Sequence, residues 1–169
     1  PRSCPTSPSR GDGRCSARAA ADLVAARALY GAPCVVVDWG TTTNFEVIDR
    51  DGAFLGGAIA PGLRLSVASL SQAAARLSVV EVKAPPSVIG KNTREAVQSG
   101  AVLGEAARVD GMIDLVWAEL GYETPVVASG GDAAGMAALM RHAVHVEEDL
   151  ALQGLCLLHR MNGKRPAAR

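Results

Sequence analysis

This chain of 169 residues has few aromatic residues and no excess of either charge. Aromatic side chains make up 4% of the chain, so its core must be built from aliphatic residues and alanine. Lys plus Arg and Asp plus Glu both number 17, so no basic excess favours nucleic acid as a partner. The hydrophobic fraction of 49% is sufficient for one packed domain.

The sequence also lacks long apolar runs and closely paired cysteines. No apolar run reaches the roughly 20 residues that a membrane helix needs, and the N-terminus lacks the apolar core of a secretion signal. Four cysteines stand at positions 4, 15, 34 and 156, and none belongs to a C-x-x-C pair. We therefore expect Cys34 and Cys156 to be reduced thiols that fill the core, in a cytoplasmic protein without a membrane partner.

Composition divides the chain into three parts. Residues 1–15 are rich in Pro, Ser, Gly and Arg without any period, which predicts disorder. Residues 16–162 alternate between helix and strand patterns, which predicts one layered α/β domain. Residues 163–169 form a basic tail that we expect to be loose.

Hydrophobic periodicity and turn residues predict the order of the elements in residues 16–162. Glycine and proline between 56 and 62 predict that the second hairpin strand ends in an irregular loop. Gly100 and Gly104 predict that another backbone packs closely on the long helix, either from the same subunit or from a second copy. The predicted elements are helix 16–30, strand 34–38, a hairpin turning at Asp51-Gly52, helix 63–77, a long helix capped by Asn92 and ending at Leu120, strand 125–128, helix 133–141, strand 144–146 and helix 149–162.

The most informative stretch is the apolar strand run Val35–Val37 followed by Asp38, Gly40 and the threonines 41–43. A carboxylate at a strand end can hold a cation, and a glycine lets the backbone approach a ligand closely. Threonine hydroxyls and the amides of the turn can donate to phosphate oxygens. The stretch is thus typical of a phosphate-binding loop, and the alternative is a strand followed by a threonine-rich hairpin turn.

Further motifs follow in order, namely Gly56-Gly57 with Pro61-Gly62, Gly90-Lys91-Asn92-Thr93, Gln98-Ser99-Gly100 and Ser129-Gly130-Gly131. Together with the Asp38 stretch they resemble the type III pantothenate kinases, which belong to the superfamily of actin, sugar kinases and chaperone ATPases. The resemblance extends from about Ala25 to Asn162. It implies an α/β fold, the C-terminal half of an actin-like (ribonuclease H-like) kinase fold, with a mixed sheet flanked by helices.

The resemblance also implies an activity, cofactors and site residues. The activity is the ATP-dependent phosphorylation of pantothenate to 4′-phosphopantothenate in coenzyme A biosynthesis, by a homodimer that uses Mg²⁺ and K⁺ or NH₄⁺. Asp38 is assigned to the monovalent cation and Thr93 to pantothenate, whereas the residues alone allow a turn acid and a helix-terminal hydroxyl. The nucleotide contacts are assigned to Gly40, Thr41, Thr43, Ser129, Gly130 and Gly131.

Two departures from the family pattern concern catalysis. The family's first phosphate loop, Asp-x-Gly-Asn-Thr, has no counterpart in this sequence. Its Gly-x-Asp-Arg motif falls on residues 16–19, which places Arg18 at the position of the general base. A guanidinium accepts no proton near neutral pH, and losing a general base costs typically about two to four orders of magnitude in rate. Asp12 is a candidate replacement, six residues out of register.

These departures leave three hypotheses for the chain. It is a type III pantothenate kinase or the C-terminal portion of one, or a catalytically inactive truncated remnant that dimerises and at most binds nucleotide weakly. The third is another actin-like kinase with a different acceptor. We expect no intact catalytic residue, no activity of the isolated chain, and a homodimer formed through the long helix.

Overall fold

The computed structural model describes residues 16–73 and 80–162, which form a five-stranded mixed sheet with helices on both faces. The strand order is β3-β2-β1-β4-β5. This architecture confirms the expected α/β class. The predicted disordered segment 1–15 and the predicted loose tail 163–169 lie outside the described residues. Within the described ranges, no helix has the length and apolarity to span a membrane.

Strand β1 (Cys34–Trp39) lies at the centre of the sheet, and all of its residues are buried. It pairs antiparallel with β2 (Thr42–Ile48), which pairs antiparallel with β3 (Phe54–Pro61). On its other side β1 pairs parallel with β4 (Val126–Ser129), and β4 pairs parallel with β5 (His145–Val146). A continuous apolar run suits β1 because helices cover both faces of the sheet there.

The helices divide into two layers. Helices α1 (Ala17–Tyr30) and α6 (Leu150–Asn162) cover one face, where their apolar residues cluster with Cys34 and Val36 of β1. The other face packs against α2 (Leu63–Ala73), α4 (Gly104–Leu120) and α5 (Ala133–Ala137). Because side chains alternate along a strand, Asp38 points to the α1 face and its neighbours Val37 and Trp39 to the other.

The predicted long helix is present but contains a π turn. It consists of α3 (Thr93–Gln98), the π turn Ser99–Leu103 and α4. Asn92 caps it as expected, since the Glu95 amide donates to Asn92 Oδ1 at 3.0 Å. A Cβ atom added at Gly100 or Gly104 would meet nothing within 4 Å in the described chain. The close backbone contact expected at these glycines is therefore not made among residues 16–73 and 80–162.

The structure corrects two predicted elements. Strand β3 continues through Gly56-Gly57 to Pro61, where we expected an irregular loop, because it pairs with β2 along its whole length. The helix expected over 133–141 ends at Ala137. The amides of Arg141 and His142 instead donate to the Asp110 carboxylate at 2.9 and 3.2 Å, so a tertiary contact replaces the last helical turn.

Two further predictions have mixed outcomes. The predicted helix 63–77 is observed as far as Ala73, and residues 74–79 lie outside the described part of the chain. Cys34 is buried, as expected, but Cys156 is exposed, so the prediction that it fills the core is wrong. Position 156 lies on the outer side of α6, which a pattern of closely spaced apolar residues did not reveal.

Candidate functional site

The turn between β1 and β2 is held from two sides. The Gly62 amide donates to the Thr41 carbonyl at 3.1 Å, and this contact brings the start of α2 onto the turn. A Cβ atom at Gly62 would overlap the carbonyl oxygen of Gly40, and one at Gly130 would overlap the carbonyl oxygen of Trp39. Glycine at these two positions therefore lets α2 and the end of β4 approach the turn.

A pocket of about 490 Å³ lies beside this turn. Arg64, in the first turn of α2, contributes its positive charge and donates from Nη2 to Asp132 Oδ1 at 2.8 Å. The side chain of Arg64 is 72% exposed, so its guanidinium is accessible to a bound anion. The pocket is lined by Trp39, Gly40, Thr41, Arg64, Leu65, Gly131 and Asp132.

The pocket brings together three of the six residues predicted to contact the nucleotide, namely Gly40, Thr41 and Gly131. The Gly40 amide already donates to the Thr42 carbonyl at 3.0 Å. The hydroxyl of Thr41 and the guanidinium of Arg64 are donors suited to phosphate oxygens. The geometry thus supports an anion site at the end of β1.

The other three predicted residues do not line this pocket. Thr43 is fully buried, and its hydroxyl donates to Glu105 Oε1 at 2.7 Å. Ser129 and Gly130 are also buried. Ser129 pairs with Asp38 in the parallel register of β1 and β4, so both side chains project from the same face of the sheet, the one covered by α1.

On the α1 face lies an acidic cluster formed by Arg18, Asp22, Asp38 and Glu46. Asp38 is 3% exposed, and both of its oxygens accept hydrogen bonds from Arg18. The Nε and Nη2 atoms of Arg18 lie 2.8 Å from Oδ2 and 2.7 Å from Oδ1. This bidentate geometry is the strong form of an arginine–carboxylate pair. It raises the pKa of Arg18, which remains a cation.

Asp22 and Glu46 are buried beside this pair with incomplete compensation. Among the described residues, both carboxylate oxygens of Asp22 lack a hydrogen-bond partner, and so does Oε2 of Glu46. Arg18 Nε lies 3.8 Å from Asp22 Oδ2. Burial, then repulsion from Asp22 and Asp38, raises the pKa of Glu46 to about 8. Burial and the charge of Asp38 raise the pKa of Asp22 to about 6.

Thr93 lies in a separate pocket of about 540 Å³. This pocket is open, and Lys91 brings a positive charge to it. Its lining shares no residue with that of the first pocket: Leu70, Gly90, Lys91, Asn92, Thr93, Ala96, Val97 and Gly100. The described part of the chain therefore separates the predicted substrate residue from the predicted phosphate residues.

Sequence reasoning missed Arg64 and Asp132 in the first pocket and Asp22 in the acidic cluster. Arg64 and Asp132 each sit next to a predicted glycine motif, but only the fold shows that the two motifs meet. Asp22 had a detectable signal, since it stands four residues after Arg18 on the same helix. Across the described ranges, no three His, Cys, Asp or Glu side chains are grouped closely enough to hold a metal ion.

Comparisons with known proteins point in one direction. The profile of the family described as type III pantothenate kinase matches residues 18–115. A type III pantothenate kinase from Thermomicrobium roseum is 53% identical over 134 residues, which cover 79% of this chain and 52% of that protein. One from Roseiflexus sp. strain RS-1 is 48% identical over 142 residues, covering 84% of this chain and 56% of that protein. The chain thus spans about half the length of the curated relatives it matches.

A solved structure supports the fold. The crystal structure of a conserved Baf family protein from Campylobacter jejuni superposes with a TM-score of 0.63 at 22% identity. The match covers 92% of this chain and 67% of that one. At this level of identity the likeness concerns the arrangement of strands and helices.

Proposed function

The chain belongs to the type III pantothenate kinase family, whose members are phosphotransferases, and on that premise we propose that it serves the ATP-dependent phosphorylation of pantothenate to 4′-phosphopantothenate. This is the first step of coenzyme A biosynthesis, and it fits a cytoplasmic protein. The observation that carries the proposal is the pocket where Gly40, Thr41 and Gly131 meet beside Arg64.

In this proposal the phosphate tail of ATP occupies the pocket at the end of β1. Phosphoryl transfer depends mainly on positioning and on charge neutralisation. The backbone of Gly40 and Gly131 approaches the phosphates, Thr41 donates its hydroxyl, and Arg64 supplies positive charge. Mg²⁺ would be held by the ATP phosphates, and Asp132 is a carboxylate that lines the same pocket.

Pantothenate is assigned to the second pocket, which contains Thr93. Pantothenate carries a carboxylate, and the ammonium group of Lys91 in the same pocket is a suitable partner for it. Since the two pockets share no lining residue, transfer requires the acceptor hydroxyl to extend from one pocket towards the other. No nucleic acid or membrane is needed in this scheme.

The implied monovalent cation does not fit the acidic cluster as it stands. The resemblance assigns K⁺ or NH₄⁺ to Asp38, but both oxygens of Asp38 already accept hydrogen bonds from Arg18. A cation in direct contact with Asp38 would share those oxygens with a guanidinium and be repelled by it.

The same contact favours the alternative function, a catalytically inactive protein that dimerises and binds nucleotide weakly. Arg18 stands where the family has its proton acceptor, and its hydrogen bonds to Asp38 hold it in the cluster. A guanidinium does not accept the hydroxyl proton of an acceptor. Both functions use the nucleotide pocket, and they differ in whether the phosphoryl group is transferred to an acceptor.

A homodimer is the proposed assembly. It forms through a small-residue face of α4 made of Gly104, Ala107 and Gly111, with the larger Leu115 at the end of this face. These residues are spaced by three or four positions and therefore lie on one side of the helix. A Cβ atom at Gly104 or Gly111 would meet no described residue within 4 Å, and Leu115 is 65% exposed. An open face of this kind suits the α4 of a second copy.

Nucleotide binding is tested by calorimetric titration of Mg-ATP into the chain and into Thr41→Val. Thr41 lines the pocket, so loss of its hydroxyl should weaken binding by about threefold to tenfold, the value of one hydrogen bond. Thr42→Val is the matched control, because Thr42 is the next residue and does not line the pocket. Equal loss in both variants, or no ATP binding by the native chain, would refute the assignment of the pocket.

A further inference from the structure

The acidic cluster contains carboxyl groups together with a cation that the chain itself supplies, the guanidinium of Arg18. Asp38, Asp22 and Glu46 provide carboxylates, and Ser129 provides a buried hydroxyl without a hydrogen-bond partner among the described residues. Buried carboxyl groups are neutralised either by protons or by positive charge nearby. In the described part of the chain, that charge comes from the guanidinium of Arg18.

The position of Arg18 is set by local structure. Ser16 caps α1, its hydroxyl accepting from the Ala19 amide at 3.1 Å, so Arg18 lies in the first turn of the helix. Its side chain is 54% exposed and reaches inward to Asp38, which is nearly fully buried. The planar guanidinium donates through two nitrogen atoms to the two carboxylate oxygens. A spherical ion would offer no such directed bonds.

We propose that Arg18 is a built-in replacement for the monovalent cation that the family resemblance assigns to Asp38. The chain then binds neither K⁺ nor NH₄⁺ at Asp38, and its stability is independent of both ions. The converse follows from the same geometry. Removal of the guanidinium leaves the Asp38 carboxylate without its counter-charge, on the sheet face that also carries the Ser129 hydroxyl, so a chain without Arg18 is stabilised by a small monovalent cation.

The test compares melting temperatures in choline chloride, NaCl, KCl and NH₄Cl at equal ionic strength. Choline is too large to enter the cluster, so it isolates the effect of a bound ion from that of screening. The native chain should melt at the same temperature in all four salts. Arg18→Met, which keeps the aliphatic stem, should melt about 4 °C or more lower in choline chloride and recover in KCl or NH₄Cl.

Two variants serve as controls. Arg18→Lys retains a positive charge and should remain indifferent to the salt. Arg27→Met removes an arginine of the same helix whose guanidinium donates to the Gly52 carbonyl, and it should not acquire a cation requirement.

The native chain alone can overturn the proposal, whether or not Arg18→Met folds. A melting temperature that rises in KCl over choline chloride, and loses that rise in Asp38→Asn, would place a cation at Asp38 with Arg18 present. Recovery of Arg18→Met in choline chloride as fully as in KCl would also overturn it. The melting experiments contain no nucleotide and no pantothenate, so their outcome is independent of the function proposed above.

Discussion

At the residue scale, the most consequential feature is that one side chain occupies two roles at once. The family resemblance places Arg18 at the position of a proton acceptor, and the structure pairs it with Asp38, which the resemblance assigns to a cation. The first assignment comes from an ungapped alignment to the family motif. The second role depends on a contact across 20 residues, which no local pattern encodes.

The pocket at the end of β1 predicts a role for Arg64. Arg64→Ala should weaken binding of ATP and ADP by about tenfold, the loss of a charge-assisted hydrogen bond, and leave adenosine binding unchanged because adenosine carries no phosphate. Calorimetric titration measures all three ligands. Arg160→Ala removes an exposed arginine of α6 and should leave the three affinities as they are. An equal loss for adenosine would contradict phosphate recognition by Arg64.

Glu46 predicts a pH dependence of stability. Its pKa rises from 4.5 to about 8 on folding, chiefly through burial and then through repulsion by Asp22 and Asp38, with Arg18 opposing the rise. The native state therefore keeps a proton that the unfolded chain releases. The stabilisation is complete below pH 4.5 and is lost as the pH rises to about 8.

Urea unfolding at a series of pH values checks this sign. Glu46→Gln should flatten the decline in the free energy of unfolding between pH 4.5 and about 8, since the amide does not titrate. Glu148→Gln, at an exposed position, should leave the decline in place. A native profile that rises with pH across this interval would show that the buried Glu46 is ionised.

At the element scale, the predicted helices and strands agree with the structure where local signals were strong. The Asn92 cap, the β1 apolar run and the turn at Asp51-Gly52 were all local, and all are observed. The errors lie where a tertiary contact overrides local preference. Pairing with β2 extends β3 through its glycines, and Asp110 captures the amides that would have continued α5.

The small-residue face of α4 predicts the assembly of the chain. Ala107→Glu should convert the dimer into a monomer, because a carboxylate would be buried against the partner helix without a counter-charge. Multi-angle light scattering measures the mass directly. Ala28→Glu places the same charge at an exposed position of α1 and should leave the dimer intact. A native chain that is monomeric would remove the proposed interface.

At the scale of the whole molecule, the sheet separates two sites that the sequence presented as one. The Asp38 cluster lies on the α1 face and the phosphate pocket lies beside α2 and α5, although Asp38 and Gly40 are two residues apart. Thr43 does not line the pocket and donates to Glu105, so the threonine run does not act as a unit.

The whole-molecule prediction concerns transfer. The inactive alternative predicts that the native chain, at saturating ATP and pantothenate, transfers no radiolabelled phosphate, because the guanidinium that the resemblance places at the position of the proton acceptor accepts no proton. Pantothenate, sugars and acetate are tested side by side as acceptors. Transfer to pantothenate would contradict the inactive alternative, and transfer to another acceptor alone would contradict the pantothenate assignment.

The sequence by itself determined the elements and motifs that depend on neighbouring residues. Strand β1, the glycine and threonine turn and the caps follow from local chemistry, because apolar period, backbone freedom and capping act over a few positions. The family was indicated by the resemblance of its ordered motifs. Only the tertiary structure decided which partners these residues meet. It placed Arg18 on Asp38, Arg64 beside Gly40 and Thr43 on Glu105, because those contacts depend on how the layers pack and which face of a strand each side chain takes.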